Sequence, residues 1–248
     1  GGEYNEIIKD KAAVDVRFAM CFPDTYEIGM SNLGLRILYG SMNQAEGVWC
    51  ERVFAPWGDM EQAMRENSLP LWALESQEPV KNFDMIAFTI GYEMAYSNIL
   101  NMLRLAGIPL HAAERKELKN IVFAGGVCAF NPEPLADFVD FFSLGEGEDS
   151  TVEIVSLYDQ AKAEGWSKEQ FLLAVSKIPG VYVPSFYRQE YNEDGTLRAV
   201  IPLNGAPEIV TKRIVEDLEH AFFPTEMIVP STEIVHDRGN LEAFRGCI

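Results

Sequence analysis

The chain has 248 residues and a formal net charge of −18, with 38 acidic and 20 basic side chains. Apolar residues make up 48% of it and the mean hydropathy is −0.05, which is typical of a globular protein. Apolar runs stay well below the roughly 20 residues that span a bilayer, no signal peptide is visible, and Lys and Arg are not clustered as nucleic acids require. We therefore expect neither a membrane nor a nucleic-acid partner, and a cytoplasmic location.

Short apolar runs alternate with helical periodicity along the first two thirds of the chain. Residues 1–13 lack a start methionine and any clear period, so we expect the chain to be cut from a longer protein. The predicted strands are 14–22, 49–55, 83–90, 121–124 and 138–144, with 108–112 as a further short candidate. The clearest helices begin near residues 31–32, 93 and 150. This alternation predicts an α/β, Rossmann-like fold: a flavodoxin-type, doubly wound parallel sheet of about five strands with helices on both faces.

The pattern changes after about residue 165. A helix is predicted at 168–176, a strand at 181–183, a hairpin turn at 192–195 and a returning strand at 197–201, and periodicity is weak beyond 204. We predict a Rossmann domain over 1–164 and a C-terminal α+β connector over 165–248 that leads toward another domain.

Polar or glycine-rich loops follow several of the predicted strands, at 24–31, 89–93, 125–126 and 145–148. Ligands bind at the carboxyl ends of strands in such sheets, and adjacent glycines allow a backbone to approach a flat ligand closely. The carboxylates at 24 and 27, or at 146 and 148, would also suit hydrolysis or a divalent cation, although helix capping and solvation explain them more simply. The glycine signatures of dinucleotide and P-loop sites are absent.

Residues 24–29, Asp-Thr-Tyr-Glu-Ile-Gly, resemble the Asp-x-His-x-x-Gly loop of cobalamin-binding Rossmann-like domains, with Tyr26 in the place of the lower-ligand His. The run from Ala124 to Glu148 is similar to the cobalamin-binding-type N-terminal domain of radical S-adenosylmethionine (SAM) proteins. The resemblance implies cobalamin as a cofactor. The residues that would hold it are Asp24, Tyr26, Gly29, Ser31, Thr89, Gly91, Gly125, Gly126, Gly145, Glu146 and Gly147.

Residues 241–247, Leu-Glu-Ala-Phe-Arg-Gly-Cys, resemble the strand that enters the Cys-x-x-x-Cys-x-x-Cys loop of radical SAM enzymes. Three thiolates of that loop hold a [4Fe-4S] cluster, and Cys247 would be the first of them. By this resemblance the cluster and SAM belong to a parent enzyme, similar to an uncharacterised bacterial subgroup of iron-sulfur oxidoreductases. Its barrel domain is the expected partner, and this chain itself is expected to hold no catalytic residue.

The resemblance implies that the parent enzyme reduces SAM to a 5′-deoxyadenosyl radical, which abstracts hydrogen from a substrate. A phenol with a pKa of about 10 is a poor cobalt ligand, so we expect any cobalamin to bind without a protein His on the metal. The alternative is an interaction module that has lost cobalamin and only packs on the catalytic barrel.

Overall fold

The predicted apolar runs form one sheet in the computed structural model, which describes residues 3–236 and 238–246. The strands of this sheet are β1 (Val16–Phe22), β2 (Val48–Phe54), β3 (Met85–Thr89), β4 (Ile121–Gly125), β5 (Phe141–Ser143) and β6 (Val181–Tyr182). Their order is β2-β1-β3-β4-β5-β6, with the first five parallel and β6 antiparallel to β5. The predicted flavodoxin-type sheet is confirmed, and β6 extends it by one antiparallel edge strand.

Six α-helices are formed by the described residues. They are α1 (Tyr26–Gly29), α2 (Leu33–Gln44), α3 (Gly58–Glu66), α4 (Tyr96–Ala106), α5 (Glu148–Ala163) and α6 (Lys168–Val175). Local chemistry sets several of their ends. Asn32 Oδ1 accepts a 2.9 Å bond from the Leu35 N–H and begins α2, and Gly107, at φ +70°, ends α4 in the left-handed conformation.

Alternate side chains of β1 enter two different cores, because successive residues of a strand point to opposite faces. Phe18 and Met20 pack with α2, α5 and α6 on one face, and Ala19 and Cys21 pack with α3 and α4 on the other. Helices therefore cover both faces, as the doubly wound prediction requires.

The predicted short strand at 108–112 is wrong. This stretch is irregular and leads into a 3₁₀ turn at Ala112–Glu114. Pro109 has no N–H to give to a sheet, and the Arg115 guanidinium bonds the Pro109 and Leu110 carbonyls at 2.8 and 3.0 Å. The Arg115 side chain thus supplies the hydrogen-bond donors that a neighbouring strand would otherwise give to these carbonyls.

The C-terminal part contains an antiparallel hairpin of β7 (Tyr187–Tyr191) and β8 (Leu197–Pro202), joined by the predicted turn at 192–195. The boundary at 164/165 stays a prediction. α6 and β6 lie beyond it in sequence, yet Phe171 and Val175 are buried in the same core as α2 and α5. Within residues 3–236 and 238–246, no helix combines the length and the apolar character that crossing a membrane requires.

Candidate functional site

The loops after β1, β2 and β3 meet at the carboxyl edge of the sheet, where the sequence predicts a site. Asp24 joins all three loops. Its Oδ2 accepts a 2.9 Å bond from the Tyr92 hydroxyl, and its backbone carbonyl accepts from the Ala55 N–H at 2.9 Å. Asn98, on α4, donates to the Pro23 carbonyl at 2.9 Å. Asp24 therefore holds the edge together, and both oxygens of its carboxylate accept protein hydrogen bonds.

Tyr26, at the predicted cofactor-ligand position, is hydrogen-bonded to a largely buried ionic network. Its hydroxyl donates to Glu3 Oε1 at 2.5 Å, and its ring meets Phe54 edge-on with centroids 5.3 Å apart. Glu3 in turn pairs with Arg52, whose guanidinium also bonds Glu75 at 2.7 Å. Burial and the Glu3 carboxylate raise the pKa of Tyr26, so the phenol stays protonated and acts as a donor. For Glu3, burial alone would raise the pKa, but the bonds and charge of Arg52 outweigh it and lower the pKa.

Gly29 and Ser31 also serve contacts within the chain. A Cβ at Gly29 would overlap the Phe54 ring and lie 3.1 Å from Phe22, so only glycine fits without displacing an aromatic side chain. Ser31 Oγ donates to the Glu27 carbonyl at 2.7 Å and accepts from the His236 N–H at 3.0 Å. The first predicted loop is therefore packed against β2 on one side and against the C-terminal part of the chain on the other.

The structure brings Thr89 and Gly125 side by side, at the paired ends of β3 and β4. Gly126 follows at φ +102°, where a Cβ would lie 2.6 Å from the Ile90 carbonyl oxygen. Gly91 differs from these, because it is exposed and no atom lies within 4 Å of its Cβ position. Of the predicted glycines in these two loops, Gly91 alone faces open space.

The loop after β5 is covered by residues that come much later in the chain. Gly145, at φ +103°, pairs with Arg213, and a Cβ there would overlap the Arg213 carbonyl oxygen. The Glu146 carboxylate accepts a bond from the Val215 N–H, and the Cβ position of Gly147 lies 3.2 Å from Leu38. At Gly145 and Gly147 the missing Cβ therefore makes room for other residues of the same chain, namely Arg213 and Leu38.

Exposed apolar side chains lie in the loops after β2, β3 and β4. We call this set the apolar rim, and its members are Trp57, Tyr92, Met94, Val127 and Phe130. Met94 is 80% exposed and Val127 71% exposed, and the five residues share one edge of the sheet. The sequence reasoning missed the rim. Its signal was the presence of large apolar residues in the loops that directly follow strands, where polar residues are the norm.

Several of the positions predicted to hold cobalamin are occupied by contacts within the chain. The space beside Gly29, Gly126 and Gly145 is filled by Phe54, Ile90 and Arg213, and the polar atoms of Tyr26 and Ser31 already have partners. A corrin cofactor needs an open cradle at these positions. The open part of the edge includes Gly91 and the apolar rim.

The predicted metal ligand, Cys247, lies outside the described residues. Among residues 3–236 and 238–246, no three His, Cys, Asp or Glu side chains are grouped as a metal site would require. The thiols of Cys21 and Cys50 are buried, and burial raises the pKa of both, so they are protonated core residues.

Known proteins that resemble this chain include a curated relative and a solved structure. An uncharacterized protein of Methanocaldococcus jannaschii, MJ0966, is 26% identical over 176 residues, which are 70% of this chain and 33% of the relative. The radical SAM methyltransferase TsrM of Kitasatospora setae, whose structure holds tryptophan substrate and a SAM analogue, aligns over 72% of this chain and 29% of its own. In that alignment the identity is 15% and the TM-score 0.39. The chain thus spans about a third of the length of the curated relative, at 33%.

A family model described as the N-terminal part of radical SAM proteins matches residues 34–184, which is more than half of the chain. The match runs from α2 through every later strand and helix of the doubly wound sheet to β6. This chain belongs to the family of N-terminal regions of radical SAM proteins.

Proposed function

We propose that this chain is the covering domain of a radical SAM enzyme, and that its apolar rim packs against the catalytic barrel of the same protein. The carrying observation is the rim itself, five large apolar side chains exposed on the loops of one sheet edge. Contiguous exposed apolar patches mark interaction surfaces, and the position of these five side chains on one sheet edge supports such a surface here. In a radical enzyme such a cover has a chemical purpose, because excluding water and other hydrogen donors protects a reactive intermediate from side reactions.

The rim is built on a rigid support. Trp57, Tyr92 and Phe130 follow strands whose neighbours are fixed by the parallel ladder, and the Tyr92 hydroxyl is anchored on Asp24. The backbone that carries these side chains is thus ordered before a partner binds, which lowers the entropy cost of association. A preformed apolar surface therefore suits a domain that stays docked in the folded protein.

Differential methionine oxidation in the full-length parent enzyme, which includes the barrel, tests this proposal. Met94, in the rim, is 80% exposed in this domain, whereas Met60, on α3 outside the rim, is 41% exposed. Exposed thioethers oxidise faster. If the barrel covers the rim, peroxide should oxidise Met94 more slowly than Met60, reversing the order that their exposures predict. Faster oxidation of Met94, followed by mass spectrometry of the two peptides, would contradict the covering role.

Cobalamin association, with Cys247 as a cluster ligand in the parent enzyme, is the finer function that the sequence resemblance implies. The filled spaces at Gly29, Gly126 and Gly145 favour the alternative, a module that covers without binding cobalamin. We expect no saturable shift in the visible spectrum of hydroxocobalamin when it is added to the full-length parent enzyme with its cluster reconstituted. Saturable binding at micromolar cofactor would overturn this and restore the cobalamin function.

A further inference from the structure

The loop that follows β5 receives a segment from the far end of the chain. We call residues 206–236 and 238–246 the returning segment. Ala206, Ile228 and Ile234 in this segment are buried in the core that contains α2 and α5. Its path then crosses the carboxyl edge of the sheet, where the Val235 and His236 N–H groups meet the Glu27 carbonyl and Ser31 Oγ. The returning segment therefore contacts the sheet domain at several separate points.

Backbone bonds hold the middle of the returning segment on the loop. The Arg213 N–H donates to the Leu144 carbonyl at 2.8 Å, and the Glu146 N–H donates to the Arg213 carbonyl at 3.0 Å. This is a parallel bridge centred on Gly145. The positive φ of Gly145 and the lack of a Cβ are both needed for this close approach.

Charged side chains hold the end of the returning segment. The Arg245 guanidinium bonds the Glu148 carboxylate, lies 3.6 Å from Glu146 Oε2, and bonds Glu242 Oε1 at 2.8 Å. Glu148 is the first residue of α5, and its side chain is only 8% exposed. Three carboxylates surround one cation, and the hydrogen bonds and charges of Glu242 and Glu148 raise the pKa of Arg245. Without the Arg245 cation, the negative charges of Glu146, Glu148 and Glu242 would repel one another.

We infer that Gly145, Glu146 and Glu148 form a seat for the chain's own returning segment, and that Arg245 is a positioning residue that fixes where the chain leaves this domain. The seat accounts for the glycine and both carboxylates of a loop that otherwise suggests a cofactor or cation site. The positioning role rests on the proposed function, because Arg245 stands two residues before Cys247, the proposed first ligand of the cluster. A seated Arg245 would hold the entry to the cluster loop at the carboxyl edge of the sheet.

Hydrogen exchange on the full-length parent enzyme, with its cluster reconstituted, tests the seat. Arg245→Glu should speed exchange in peptides covering 144–148 and 208–216 by about tenfold, because a charge-assisted clamp becomes a repulsion and the N–H groups of Arg213, Val215 and Glu146 lose their acceptors. The charge-swapped pair Arg245→Glu with Glu148→Arg should restore most of the protection. Arg238→Glu is the matched control, since Arg238 lies exposed on the same segment, where its guanidinium is 3.4 Å from His236 Nδ1. Unchanged exchange in Arg245→Glu, or failure of the swap to restore protection, would overturn the seat.

SAM cleavage to 5′-deoxyadenosine, measured in the same preparations under reducing conditions, separates the seat from the proposed function. Cleavage by the wild type supports the radical SAM assignment, and its absence contradicts the proposed function while the exchange result still decides the seat. The positioning role predicts that Arg245→Glu lowers the cleavage rate by about tenfold and that the swap recovers it. A loosened segment with unchanged cleavage would overturn the positioning role alone.

Discussion

Replacing Arg52 by Ala should lower the free energy of unfolding by about 3–5 kcal/mol, because truncating one partner of a buried ion pair leaves the other charge uncompensated. Arg52 is fully buried on β2 and pairs with Glu75, whose side chain is also fully buried, and with Glu3. Its guanidinium further lies 5.1 Å from the Tyr39 ring centroid. Chemical denaturation followed by circular dichroism measures the change.

Two further variants keep this prediction testable if Arg52→Ala does not fold. Arg52→Lys retains the charge but loses the fork that bonds Glu3 and Glu75 together, so an intermediate loss is expected. Arg65→Ala removes a half-exposed arginine that pairs with Glu61 on the same helix, and it should cost less than about 1 kcal/mol. Similar losses for Arg52→Lys and Arg65→Ala would show that the buried network contributes little.

Replacing Gly126 by Ala should cost about 2–4 kcal/mol, from the strain of a positive-φ backbone conformation that essentially only glycine adopts and from forced overpacking. The added Cβ would lie 2.6 Å from the Ile90 carbonyl oxygen, and a backbone atom cannot rotate away as a side chain can. That carbonyl also accepts the Cys128 N–H at 3.2 Å, so moving it disturbs the next turn.

Gly91→Ala is the control for Gly126→Ala, since its Cβ would meet no atom within 4 Å. Thermal unfolding should leave Gly91→Ala within a few tenths of a kcal/mol of the wild type, as is usual for open surface positions. If both glycines instead tolerate Ala equally well, close packing is not the reason for Gly126, and a ligand role for this loop regains support.

Much of the fold could be predicted because its signals are local. The apolar run that became β1 lies at Val16–Phe22, two residues inside the prediction at its start, and the helix cap at Asn32 is local side-chain chemistry. The site was harder to predict. Asp24 and the glycines lie on the expected edge, but the apolar rim was overlooked, and Tyr26 proved to be bonded to Glu3, a residue from the N-terminal stretch without periodicity.

The sequence by itself determined the α/β class, the parallel sheet and the loops that gather at its carboxyl edge, since these follow from the period of apolar residues and from the chirality of strand-helix-strand connections. Only the tertiary structure decided what the glycines are for. A glycine in a sequence states that a Cβ is excluded, and it does not state which atoms exclude it. At Gly145 those atoms belong to Arg213, and the neighbouring Glu148 meets Arg245, 97 positions later in the chain. Contacts over such separations leave no periodic signal, so the seat of the returning segment becomes visible only once the chain is folded.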